Sequence, residues 1–274
     1  KWHIFGYDTQ TGLEDSVTSD TYIYLDPSWT ASMNIGLVSY YNFDENTGTK
    51  AIDVVTGKNN GTLIGSPVWI TGKLGYALNF SGDIVTQDYV NLTTDTQLGV
   101  TKSTTITAWV NTPNYVGGST DGYPMIYYQK VPAGATKAGA AMGIYSTTGK
   151  VGVNYPNAPY WAYGLNPIGI NNWVFVAVTF NSSHVTFFIN GGANGTATVP
   201  DWDSTGSNTK IGWNGDPAQD YYWLGSIDEV GVWNRSLSPS EISDLYNDGA
   251  GMTYTNNFGD YSTVNVSTSL ISPA

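Results

Sequence analysis

The hydrophobic pattern is densest between residues 173 and 192, in the run WVFVAVTFNSSHVTFFINGG. Two β-rich stretches, 173–180 and 185–190, flank the polar turn Asn181-Ser182-Ser183-His184, which predicts a β-hairpin. Nearly every position of its strands is apolar, so both faces are expected to be buried, as in the middle of a sandwich and not at an edge. Around this hairpin, short apolar runs predict strands at 36–43, 75–81, 89–92, 125–128, 143–145, 151–155, 209–213 and 224–233. Residues 104–111 (TTITAWVN) alternate, with Ile106, Ala108 and Val110 on one face and Trp109 on the other. In the run at 224–233, Ile227, Val230 and Val232 take the core positions. One helix is expected near the carboxyl end. Ser238 fits its N-cap, Pro239 its first position, Glu241 closes a capping box, Ile242, Leu245 and Tyr246 follow at helical spacing, and Gly249 suits the terminator. Evenly spaced strands with Gly and Asn turns predict an all-β sandwich or jelly roll.

The main β domain is expected over residues 35–252. Residues 1–34 hold two strand-like runs, at 2–7 and 21–25, and then a linker. So short a segment cannot bury a core alone. It is expected to pair with the main domain, with a neighbouring domain, or with another copy of the chain. Residues 253–274 read as a Thr- and Ser-rich linker and the start of a following β domain. The opening in mid-strand suggests a piece of a longer protein.

Composition narrows the partners. Only 12% of residues are charged and the net charge is −12, which argues against nucleic acid and anionic membrane surfaces as partners, since both need clustered Lys and Arg. There are no cysteines, which removes disulfides, thiolate zinc sites and cysteine nucleophiles. No apolar run reaches the roughly 18 residues of a membrane span. Seven sequons, at Asn60, Asn79, Asn91, Asn181, Asn194, Asn234 and Asn265, mostly near turn residues, point to an exported glycoprotein.

In order along the chain, GLVSYYNFDENTG, GKNNGTL, GKLGYALNFSG, TTITAWV, NNWVFVAVTF with VTFFINGG, and GSIDEVGVWNRSLSPSEI resemble the successive elements of laminin-G-like domains of the concanavalin A-like lectin/glucanase superfamily. The resemblance implies a two-sheet antiparallel jelly roll, often with structural calcium and often binding sugars or proteins. KWHIFGYD with TYIYLD, and VNVSTSLISPA, resemble partial immunoglobulin-like surface repeats.

Three sets of residues could carry chemistry. Glucanases of this superfamily place two Glu on one face of a strand, and retaining hydrolysis needs two carboxyls about 5 Å apart. The four Glu here, at 14, 45, 229 and 241, do not recur at such a spacing, and Asp228 and Glu229, being adjacent, are expected to face opposite ways on a strand. Hydrolysis is therefore not expected. The resemblance makes Asp228 a calcium ligand with partners around residues 42–45, Asp44 among them, and Asp88 a further one; the alternative is that Asp228 only accepts backbone N–H groups. His3 and His184 are distant from each other and support neither a zinc site nor a catalytic triad. Last, Tyr160, Trp161 and Tyr163, with Tyr222 and Trp223, sit in aromatic, polar stretches read as loops, where rings could stack on sugars; the alternative is that they cover sheet edges. The reading is a non-catalytic extracellular recognition module for glycans or a partner surface. The alternative is a filament or surface-layer subunit joined to neighbouring copies through its terminal strands.

Overall fold

The computed structural model describes residues 29–92, 103–116, 122–129, 140–154, 161–199, 209–215 and 221–256. The flanking strand-like runs, with His3 and Asn265, lie outside these residues, as does Tyr160. Strands follow in chain order as β1 Leu37–Tyr41, β2 Lys50–Ala51, β3 Gly61–Ile64, β4 Val68–Thr71, β5 Tyr76–Ser81, β6 Tyr89–Leu92, β7 Thr104–Asn111 and β8 Met125–Gln129. The second half adds β9 Ala141–Ile144, β10 Lys150–Asn154, β11 Trp161–Pro167, β12 Val174–Phe180, β13 His184–Ile189, β14 Gly192–Thr198, β15 Thr209–Ile211 and β16 Leu224–Trp233. Two helices, α1 Ala31–Asn34 and α2 Pro239–Tyr246, frame them.

The strands form two antiparallel sheets. The first runs β14-β13-β12-β7-β16-β5-β4, with β1 pairing the distal half of β16. The second runs β11-β10-β9-β8-β15-β6-β3-β2. Between them lies the main core, in which Ile106, Ala108 and Val110 of β7 meet Val174, Val176 and Val178 of β12, and Val151 and Val153 of β10 face them across the sandwich. The alternation read from residues 104–111 is the one observed: Trp109 points away from that core.

The hairpin strands are apolar throughout because the outer face of the first sheet is covered too. There Trp109, Phe175, Ala177 and Phe188 pack with Trp29, Met33, Tyr40 and Trp233 under Leu237, Ile242 and Leu245. Burying each of the last two side chains contributes about 1.5–3 kcal/mol. Helix α2 starts as its sequence predicts, with Ser238 and Glu241 exchanging capping-box bonds and Pro239 in the first turn. It ends earlier than Gly249. Asn247 takes the left-handed conformation (φ 50°) and stops the helix, and a single 3-10 turn carries the chain to Gly249.

The two sheets are also joined along one edge. The Asn194 side chain on β14 accepts from the backbone and side-chain nitrogens of Asn166 on β11 (3.0 and 3.1 Å) and donates to its carbonyl (3.1 Å). Gly164 leaves the room this requires, since a β-carbon there would lie 2.5 Å from the Asn194 amide nitrogen.

Candidate functional site

Val151, Val153 and Ala162 point into the core, so their neighbours Gly152, Trp161 and Tyr163 lie on the outer face of the second sheet. Residues 161–167 form a strand, not the loop expected from this aromatic, polar stretch. Tyr163 lies against Gly152, where a β-carbon would come within 2.8 Å of its ring. Tyr145, just after β9, and Tyr123, two residues before β8, complete a group of four half-buried, near-parallel rings. Trp161 stacks on Tyr123 (centroids 3.6 Å, planes 10° apart), and Tyr145 stacks on Tyr163 (5.0 Å, 22°). Trp161 and Tyr163 are 6.4 Å apart, and Tyr123 is 6.3 Å from Tyr163, so Tyr123 sits over Trp161 and not between the other two rings. Tyr123 also stacks on Tyr145 (5.0 Å, 16°), so each ring lies on the next in the order Trp161, Tyr123, Tyr145, Tyr163. The Tyr163 hydroxyl donates to that of Tyr123 (3.0 Å), which pins both rings.

The aromatic surface continues across the sheet. Tyr221 meets Tyr123 edge-on (5.7 Å, 85°), and its neighbour Tyr222 stacks on Trp213 (5.2 Å, 3°). Trp213 in turn packs on Tyr89, and the Lys210 ammonium lies 5.2 Å from the Tyr89 ring while donating to Asn91 Oδ1 (2.7 Å). Rings of this kind offer broad apolar faces with polar hydroxyl edges, the chemistry that stacks on the CH face of a sugar and bonds its hydroxyls.

Of the residues named from sequence, Trp161 and Tyr163 are on this face. Tyr222 is there too but only 2% exposed, its ring occupied by Trp213. Trp223 is a correction. It is 1% exposed and points into the main core, because its backbone N–H bonds to the Gly212 carbonyl and the next residue enters β16. It cannot stack on a ligand. Tyr123 and Tyr145 carry no signal in the sequence, since each stands apart and only strand pairing gathers them, while Tyr221 belongs to the same string as Tyr222 and Trp223.

The acidic residues lie elsewhere. In β16 a bulge between Asp228 and Gly231 holds Glu229 at φ 51°, so Asp228 and Glu229 both face outward from the first sheet, against the expectation that neighbours alternate. Asp228 is fully buried and accepts from the backbone N–H groups of Lys73, Leu74 and Glu229 (2.8, 3.1 and 2.8 Å). Gly72 makes room for it, as a β-carbon there would lie 2.6 Å from Asp228 Oδ2. Burial pushes the Asp228 carboxyl up to about 7 despite these bonds. Burial, and next the Asp228 charge, hold Glu229 well above the usual carboxylate range, with the Tyr40 hydroxyl opposing.

The acidic residues expected to bind calcium are already engaged. Both oxygens of Asp228 are taken by N–H donors. Asp44 accepts from Tyr76 N–H (2.9 Å) and the Asn42 amide (2.9 Å), and Asp88 from Ser66 N–H (2.6 Å) and Ser81 N–H (3.0 Å). Among the described residues no three His, Cys, Asp or Glu side chains gather to hold a metal. The carboxylates serve as backbone caps, and this arrangement does not gather the set of oxygens, six to eight counting carbonyls and water, that calcium takes. The sequons differ in setting as well. Asn194 is 4% exposed and spent on the sheet-edge bonds, so a glycan there would open the sandwich.

The model of the Laminin_G_3 family, of the concanavalin A-like lectin/glucanases superfamily, matches residues 85–243. No curated protein matches the sequence. Among solved structures, domain 4 of AbnA, a GH43 extracellular arabinanase from Geobacillus stearothermophilus seen with arabinotriose, superposes with a TM-score of 0.58 at 21% identity, covering 77% of this chain and 98% of that domain. The binding domain of botulinum neurotoxin DC in complex with SialylT gives 0.57 at 19% identity, covering 77% of this chain and 51% of that one. Trypanosoma rangeli sialidase in complex with sialic acid gives 0.60 at 14% identity, covering 79% and 34%. The chain thus spans about half of the neurotoxin domain and a third of the sialidase. At these identities the likeness is one of fold, and it agrees with the two-sheet architecture. With its family model matched over more than half its length, the chain belongs to the Laminin_G_3 family of the concanavalin A-like lectin/glucanases superfamily.

Proposed function

We propose that this domain is a non-catalytic, extracellular carbohydrate-binding module whose contact surface is the outer face of the second sheet around Trp161, Tyr163, Tyr123 and Tyr145. The observation that carries this reading is the block of four near-parallel, half-buried rings fixed by mutual stacking and a hydroxyl–hydroxyl bond. A rigid aromatic surface loses little entropy on binding, so stacking becomes affinity. That some similar structures were determined with sugars supports it. Against catalysis stand the carboxyls themselves. Asp228 and Glu229, the adjacent acidic pair, are buried on the outer side of the first sheet and aimed at backbone and Tyr40, with no open face where a glycosidic bond could lie between them.

Affinity electrophoresis through gels containing arabinan, xylan or β-glucan, together with calorimetry against sialyllactose, tests the reading. Wild-type protein is expected to bind at least one of these probes, and Trp161→Ala and Tyr163→Ala to weaken that binding at least about tenfold without changing the polysaccharide. Absence of binding to all four, or equal binding by both variants, would refute it.

A further inference from the structure

The sequons of this chain are not equivalent once they are placed on the sandwich. Among those in the described residues, Asn181 and Asn234 are exposed, whereas Asn194 is buried and Asn60, Asn79 and Asn91 are half-buried. Each of these four has its side-chain oxygen committed: Asn60 to the Asp53 N–H, Asn79 to the Ser226 hydroxyl, Asn91 to the Lys210 ammonium and Asn194 to Asn166. Asn181 is held differently. Its Oδ1 accepts from the N–H groups of Ser183 and His184 (3.2 and 2.9 Å), an Asx turn at the hairpin tip that fixes the amide while leaving its nitrogen toward solvent.

The two exposed sequons also share a location. Ser236, the hydroxyl residue of the Asn234 sequon, donates to the carbonyl of Phe180, the residue before Asn181. Both acceptors therefore lie on one rim, at the distal end of β16. Tyr221, which touches the aromatic block, lies just before the opposite end of that ten-residue strand. At the usual rise per residue the two ends are roughly 30 Å apart.

We propose that Asn181 and Asn234 are N-glycosylation sites, and that together they place two N-glycans on the rim remote from the aromatic face while the sequons at Asn91 and Asn194 stay unmodified. An N-glycan needs the amide nitrogen to open into solvent. At Asn194 that nitrogen donates to the Asn166 carbonyl inside the sheet junction, and at Asn91 the amide stands on the outer face of the second sheet beside the Lys210 and Tyr89 pair. Glycans at the distal rim would shield the hairpin end and leave the aromatic face clear.

Site occupancy tests this without reference to sugar binding, so it can fail while the aromatic-face reading stands, and the reverse. The full chain would be secreted from a eukaryotic host, its glycans released enzymatically in heavy-oxygen water, and its peptides mapped by mass spectrometry. Conversion of Asn181 and Asn234, with Asn91 and Asn194 unchanged, is the expected result. Asn234→Gln and Ser183→Ala should each remove one glycan mass; the second abolishes the acceptor without disturbing the Asn181 turn bonds. Occupancy of Asn91 or Asn194 in folded secreted protein, or unmodified Asn181 and Asn234, would overturn the assignment.

Discussion

Glu229→Gln isolates the energetic role of the buried acidic pair. In the folded protein Glu229 is 2% exposed, sits at a positive-φ bulge beside Asp228, and has one carboxyl oxygen, Oε2, without a hydrogen-bond partner. Ionising both acids there places two charges where little water reaches them. For Asp228, a rise from the ordinary carboxylate range to about 7 corresponds to roughly 4 kcal/mol, at 1.36 kcal/mol per tenfold change in proton affinity. The sign follows from linkage. Folded Asp228 and Glu229 hold protons more tightly than the unfolded chain does, so their contribution is full below about pH 4 and falls as the pH rises, that of Asp228 draining away through about 7. Urea unfolding followed by tryptophan fluorescence should therefore give a midpoint at pH 5 that exceeds the one at pH 8, by on the order of 1–2 M. The large negative net charge acts in the same direction at high pH, and the variant separates the two causes. Gln keeps the shape, offers a carbonyl to Tyr40 and removes the charge beside Asp228. It should match wild type near pH 5, exceed it at pH 8, and flatten the profile between them. Wild-type stability that rises from pH 5 to 8, or a Gln variant weaker than wild type at pH 8, would refute the reasoning.

Two further outcomes follow from the same structure. Asn194→Ala removes the three bonds that join β14 to β11 and leaves the Asn166 groups unpaired, so it should cost about 1–3 kcal/mol in chemical unfolding and raise hydrogen exchange along β11. Because Asp228, Asp44 and Asp88 are filled by N–H donors, adding calcium or a chelator should leave the melting temperature unchanged to within about 1 °C; a stabilisation that saturates with calcium would restore the metal site.

Much of the framework was legible because its signals are local. Ser238, Pro239 and Glu241 mark a helix start whatever surrounds them, and the alternation in residues 104–111 sorts Trp109 from Ile106 without knowledge of the partner strand. The short strands β2 and β4 carry no period in two to four residues, β3 shows only through the GKNNGTL resemblance, and β14, with its Gly-Ala-Asn-Gly run, lacks the apolar residues that announce a strand. These edges hold through pairing and through Asn194, neither of which composition reveals.

The candidate site divides along the same line, and the reason is parity. Trp161 and Trp223 occupy similar aromatic, polar strings, yet one lies on the outer sheet face and the other in the core. Which face a strand residue takes depends on register, and register is set by partners distant in sequence: Trp161 by its pairing with Asn154, Trp223 by its bond to Gly212. A one-residue difference in register exchanges an outer-face residue for a core residue. The same logic explains the acidic pair. Alternation sends Asp228 and Glu229 to opposite faces only if both are extended, and the left-handed backbone at Glu229 returns it to the face of Asp228, between Ile227 and Val230, which remain in the core. A non-glycine residue held at φ 51° beside a buried aspartate costs backbone strain, on the order of 1 kcal/mol, in addition to the cost of burying the acids. What the bulge secures is the three-donor cap that ties the Gly72–Gly75 turn to β16, joining residues 154 and 155 positions apart. The acidic motif therefore serves the architecture, whereas the aromatic face is built from residues scattered over a hundred positions that only strand pairing brings together.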